Sequence, residues 1–211
     1  MLIASYNRKA LGDVLITVLA PDKPVQAVAQ KGDVVRIYDP ETNQSLGYNF
    51  FNITDYLPNL SVNGQVAVNA KFVNTLTQIL EKNGFEADLE NDETPKFVIG
   101  YVQTLKAHPD SDHLHVAQVE VDGGQMLQIV CGAPNIEQGQ KVVVAKVGAM
   151  MPDGAIIWPG SLRGVASDGM ICAARELDLP NAPQARGILV LSDDIEVGSP
   201  FDFEKAGQIF V

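Results

Sequence analysis

Residues 107–115, Ala-His-Pro-Asp-Ser-Asp-His-Leu-His, hold all three histidines of the chain together with two carboxylates. Such a cluster invites metal ligation or acid–base chemistry, and a hydrolase built on it is one class of function to weigh. The residue types also have a plainer use. Pro109 and Asp110 form turns, Asp side chains cap them, and His113 and His115 share one face of a strand that starts there. No other Cys or His stands at a ligand spacing, so neither a metal nor a cofactor is expected. Pairing Cys131 with His108 for nucleophilic catalysis has no local signature behind it.

A second stretch is more specific: Ser161-Leu162-Arg163-Gly164-Val165-Ala166-Ser167-Asp168-Gly169-Met170-Ile171-Cys172, with Ile129-Val130-Cys131-Gly132-Ala133-Pro134-Asn135 before it. Arg163 offers a planar fork for a phosphate or for stacking on a base. Gly164 and Gly169 let backbone N–H groups approach a ligand closely, or else shape turns. Asn135 and Ser167 add neutral donors, Asn135 having loop capping as its plainer use. Lys141 and Lys146 add cations that share one side of their strand if it is regular. Met170 completes the candidate set, with core packing as its plainer role. Among aromatics, Trp158, Tyr101 and Phe97 are the candidates for stacking.

These residues need a scaffold, and the chain past Lys96 reads as short β-rich runs broken by Gly, Pro and Asp. The pattern predicts strands over 97–106, 113–121, 126–131, 141–147, 155–158 and 169–173, a helical turn at 174–177 and a last strand at 188–191, which together suggest a barrel. Asp122-Gly123-Gly124 supplies positive φ for a tight turn. Upstream, 14–19 reads as a strand ended by Pro21-Asp22-Lys23-Pro24, and 33–38 with 45–51 as a hairpin. Phe72, Leu76, Ile79 and Leu80 then fall on one helical face before Gly84. Residues 88–95 are acidic, polar and closed by proline, so the domain boundary belongs there. The expected organisation is a small α+β module over 1–90, an all-β barrel over 95–200 and a C-terminal tail over 201–211.

Composition narrows the function. Hydrophobic residues make up 46% and charged residues 19% of 211, as in an ordinary folded protein. No apolar run approaches the roughly 20 residues that span a bilayer, and the N-terminus lacks the charge order of a signal peptide, so a cytoplasmic protein without a membrane partner is expected. Cys131 and Cys172 lie in apolar runs and read as small core residues. The net charge of −11 disfavours a bulk-electrostatic partner for nucleic acid. Residues 96–179 hold 6 basic and 9 acidic side chains, so any phosphate-binding face is a small patch on an acidic body.

The pieces 108–112, 129–135, Gly139-Gln140-Lys141-Val142, 162–172 and Arg175-Glu176-Leu177, in that order, resemble the tRNA-binding domain near the N-terminus of the bacterial phenylalanyl-tRNA synthetase β subunit. The same module occurs at the C-terminus of methionyl-tRNA synthetases and in free-standing proteins. The chain as a whole is similar to the free-standing bacterial YtpR-type proteins. The resemblance implies an oligonucleotide-binding (OB) barrel that recognises tRNA by shape, with no DNA specificity and no catalysis. It departs from the pattern at Ser161, where the family often has lysine, and at Ala173, where it has serine. The chain is too short for a synthetase catalytic domain and has no phosphate-cradling glycine loop. The rival reading uses the same barrel as a dimerisation or protein-interaction module.

Overall fold

The computed structural model describes residues 1–210; Val211, the end of the expected tail, lies outside the described residues. The chain divides into two compact units, Met1–Thr94 and the residues from Pro95 onward.

In the first unit β1 (Ile3–Tyr6) and a turn of helix α1 (Arg8–Leu11) precede β2 (Val14–Val18), β3 (Ala27–Lys31), β4 (Val34–Tyr38), β5 (Ser45–Phe51), β6 (Gly64–Val66) and helix α2 (Ala70–Lys82). The strands form one antiparallel sheet in the order β3-β4-β5-β2-β1-β6. The expected hairpin is β4–β5, while β1, β3 and β6 carry too little alternation to be seen in the sequence. Helix α2 starts where the Asn69 side chain accepts from the Phe72 amide at 2.9 Å, an N-cap worth about 1 kcal/mol. It ends at Asn83, before Gly84 at φ 74°. Its buried face, Phe72, Val73, Leu76, Ile79 and Leu80, packs with Tyr6, Leu15, Tyr48 and Phe50 of the sheet. The acidic stretch that ends this unit is tied to it: Asp88 accepts from the Tyr48 hydroxyl, Glu90 from the N-terminal amine and Glu93 from the Ala70 amide.

The second unit begins with β7 (Phe97–Ala107), β8 (His115–Glu120), β9 (Met126–Cys131) and β10 (Lys141–Lys146). The short strands β11 (Gly160–Leu162), β12 (Val165–Ser167), β13 (Gly169–Ile171) and β14 (Val190–Leu191) and helix α3 (Phe203–Ala206) follow. The antiparallel order is β13-β10-β7-β8-β9, with β14 on β10. Strand β7 can serve both β10 and β8 because its register shifts between Val102 and Thr104, a bulge that turns the strand around the barrel. The ring is completed where 166–168 meets β9. The Asp168 amide donates to the Gln128 carbonyl (2.8 Å), the Gln128 side-chain amide donates to the Ala166 carbonyl (2.9 Å), and the Val130 amide donates to Ser167 Oγ (3.1 Å). A five-stranded ring in this order is the OB barrel.

Strand β10 explains where the cores sit. Its four central residues are all buried, because Val142 and Val144 point into the barrel while Val143 and Ala145 face an outer layer built by 172–206. Cys172, Leu177, Leu189, Phe201 and Ala206 belong to that outer layer, so Phe201 and Ala206 anchor the expected tail to it while most of its other described residues are exposed. The expected strand 155–158 does not form: Ile156 makes one isolated bridge to Met150, and 155–157 bonds irregularly to 148–151 around Asp153-Gly154. The hairpin β11–β12, absent from the sequence reading, takes its place beside the barrel. Among the described residues no helix is long and apolar enough to cross a membrane.

Candidate nucleic-acid interface

Leu162 pairs with Val165, so Arg163 and Gly164 are the two-residue tip of the β11–β12 hairpin. Both have positive φ, 45° and 80°, as a type I′ turn requires. Gly164 fits that demand without cost, whereas Arg163 holds a backbone that L side chains disfavour by about 1–2 kcal/mol. The arginine side chain is exposed, and its Nη1 donates to the Asp110 carbonyl at 3.0 Å. Neither Asp168 nor Glu176 holds it: Glu176 instead accepts from the Ala173 amide at 2.7 Å.

The histidine-rich turn is the other half of this arrangement. Buried His108 accepts the Asp110 amide at Nδ1 (3.0 Å), which leaves the proton on Nε2, and Nε2 donates to the Leu162 carbonyl (3.0 Å). His108 thereby fastens the β7–β8 loop to the hairpin, next to Arg163. Exposed Asp112 lies below its ordinary value, first through the hydrogen bond from His113 and, more weakly, through the Arg163 charge. Among the described residues no three His, Cys, Asp or Glu side chains are grouped to hold a metal.

The neutral donors and the second glycine are spent inside the fold. Ser167 is buried, accepts from Val130 and donates to the Gly169 carbonyl (3.3 Å), so its hydroxyl helps to close the barrel. Gly169 sits at φ 151°, where an added Cβ would lie 3.0 Å from the Ala145 carbonyl; close strand packing is what requires glycine there. Asn135 imitates a strand backbone: its Nδ2 donates to the Ile188 carbonyl (3.0 Å) and its Oδ1 accepts the Ile188 amide (2.8 Å). Met170 pairs opposite Ala145 and is half-buried against the outer layer.

The cations separate in the same way. Strand β10 is regular, and an odd separation of five puts Lys141 and Lys146 on opposite faces, not one. Lys146 is taken by Asp122, with both carboxylate oxygens within 2.9 Å of Nζ. Lys141 donates to the carbonyls of Asp193 and Ile195. Arg175 reaches the carbonyls of Gln184 and Ala185. Carbonyls satisfy a donor without cancelling its charge, so Arg163, Arg175 and Lys141 remain sources of positive potential. Exposed Lys106 and Arg186 have no hydrogen-bond or ion-pair partner among the described residues. Arg186 escaped the sequence reading, because nothing near Pro183 or Gly187 marked it.

A groove of about 520 Å³ runs beside the seam, between 130–134, the start of the hairpin and 186–188. Half-buried Trp158 and Met170 line it together with exposed Arg175, Glu176 and Arg186. Of the other two expected aromatics, Phe97 is occupied by an edge contact with Phe203 at 5.2 Å, and Tyr101 stands half-buried on β7 opposite Lys141. Cys131 also borders the groove, but burial pushes its thiol up, as it pushes Cys172 up to about 12; both are small core residues rather than nucleophiles at neutral pH.

A barrel of this order, with its motif residues gathered along one seam and hairpin, defines a class. Residues 97–200 match the family model described as "Putative tRNA binding domain", and residues 21–92 match "Domain of unknown function (DUF4479)". The chain belongs to the YtpR family. It is 51% identical over 201 residues to the "Putative tRNA-binding protein YtpR" of Bacillus subtilis, covering 95% of this chain and 99% of that one. It is also 50% identical over 129 residues to the phenylalanine–tRNA ligase β subunit of Oceanobacillus iheyensis, and 40% over 134 residues to that of Staphylococcus saprophyticus. Those matches cover 58% and 60% of this chain but only 16% and 17% of the ligase subunits.

Proposed function

We propose that this chain binds tRNA through the face of its OB barrel that carries the β11–β12 hairpin, in the cytoplasm and without a catalytic step. The observation that carries the reading is Arg163: an exposed cation at a strained tip, held outward by its own turn and by the His108 staple, in the motif most specific to the resemblance. The name of the Bacillus subtilis relative and the family model over the barrel support the same reading. With an acidic body around a few uncancelled cations, recognition rests on shape and a small number of phosphates. Arg163 and Gly164 contact the RNA, while Ser167, Gly169 and Asn135 hold the frame that presents them. Filter binding of total tRNA at two salt concentrations tests this. Saturable binding that weakens with salt is expected, and no binding at low salt overturns the reading.

A further inference from the structure

Glycine is needed at Gly169 and Gly164 for reasons the backbone states, but not at Gly160. Its φ lies outside the left-handed region, it is exposed, and a Cβ added there would meet nothing within 4 Å. Gly160 and Trp158 line the same groove, so the space that a side chain at 160 would fill is left open to it. On the same groove Arg186 is exposed and, among the described residues, has neither a hydrogen-bond nor an ion-pair partner. Arg175 adds a second charge whose hydrogen bonds go to carbonyls, and Glu176, which accepts from the Ala173 amide, is the one carboxylate on the lining. The groove's volume falls within the roughly 300–1,000 Å³ of small-ligand sites. Trp158, Met170 and two cations on one lining suit a flat heterocycle with a phosphate attached. They suit a smooth duplex poorly, since its bases are already stacked.

We propose that this groove takes one unpaired nucleotide turned out of the bound RNA, its base against Trp158 and its phosphate toward Arg186. The inference rests on the tRNA-binding reading and adds a base-holding site to it. Trp158 is the only tryptophan in the chain, so emission excited beyond the tyrosine absorption band reports on the groove alone. The titrants are unfractionated tRNA, a blunt RNA duplex with no unpaired nucleotide, and AMP. Quenching by tRNA and none by the duplex is expected. Gly160→Leu, which fills the opening, should abolish the quench and weaken tRNA binding about tenfold with an unchanged melting temperature. Arg186→Gln, at an exposed and unpaired site, should weaken it about threefold. Quenching by AMP as well shows that the groove accepts the nucleotide by itself; quenching by AMP and not by tRNA overturns the assignment to RNA. If tRNA binds by filter assay but leaves Trp158 emission unchanged, and Gly160→Leu binds like the parent, the groove is not the site and the tRNA-binding reading stands. If tRNA does not bind at all, both fall.

Discussion

The seam of the barrel and the hairpin rim beside it draw on the same residue types, and they use them in opposite ways. At the seam, Ser167, Gly169, Gln128 and Asn135 find every partner within the protein. At the rim, Arg163 projects from a turn it is strained to occupy, and Arg186 has no hydrogen-bond or ion-pair partner among the described residues. In the first unit the buried Tyr48 hydroxyl likewise finds its partners within the protein, Ser45 and the exposed carboxylate of Asp88. A motif therefore mixes groups that build a surface with groups that face outward from it, and only the unspent ones are free to bind.

The largest effects should come from the seam. Ser167→Ala strands the Val130 amide and Gly169→Ala drives a Cβ toward the Ala145 carbonyl, so each should cost about 1–3 kcal/mol of stability, several degrees in melting temperature. tRNA affinity of the folded fraction should stay the same. A loss of affinity with unchanged melting would put Ser167 back on the surface and erase the distinction.

At the rim the readouts trade places. Arg163→Ala should cost about 1–3 kcal/mol of binding and little stability, and Arg163→Lys should recover only part, since a point charge lacks the planar fork. Arg163→Gly is sharper, because it removes the cation and the left-handed strain together. Relief of strain and the greater freedom of the unfolded glycine chain roughly cancel, so melting should hold or rise slightly while affinity falls as for alanine. If all three variants melt early and bind normally, the hydrogen bond to the Asp110 carbonyl is the purpose of the side chain.

With few uncancelled cations, the slope of log affinity against log salt should be shallow, on the order of −2 to −3. A slope steep enough for an extensively basic face would mean that contacts extend beyond the rim.

The smallest effect tests the Tyr48 hydroxyl of the first unit. Burial, foremost, and Asp88 hold the Tyr48 phenol up to about 12 in the fold, above its ordinary 10.0. A raised folded value contributes stability that is complete below the unfolded value and is lost as pH rises from about 10 through about 12. Tyr48→Phe should therefore flatten the fall in melting temperature across that alkaline window. Identical profiles for parent and variant would show that the hydroxyl is open to water.

Much of the frame was legible because apolar runs report burial directly. Residues 97–106, 126–131 and 141–147 stood out as strands, and Phe72, Leu76, Ile79 and Leu80 as a helix face. The β11–β12 hairpin was not, since its strands are three residues each and hold Gly, Ser and Ala where a pattern would need larger side chains. Arg163-Gly164 also lacks the Asn or Asp that announces such a turn. Site residues were harder for a different reason. Ser, Asn and Gly satisfy a neighbouring strand or a ligand with the same atoms, and only the fold tells which; hence Ser167 and Asn135 read as donors to an outside partner. Lys141 and Lys146 read as free cations because their partners, at 193–195 and 122, are distant in sequence. Arg186 had no signal at all.

A ring of strands that is stitched shut at one place by side chains has a preferred place to breathe. Elsewhere around the barrel, opening must break a run of main-chain bonds together; between β9 and 166–168 it need only swing the Ser167 and Gln128 side chains and release the Asp168 amide. Amide exchange at Val130 and Asp168 should then outpace that of Val142 and Val144 on β10, by a sub-global route that leaves the outer layer intact. Bound RNA that bridges the hairpin and the opposite lip of the groove would slow it.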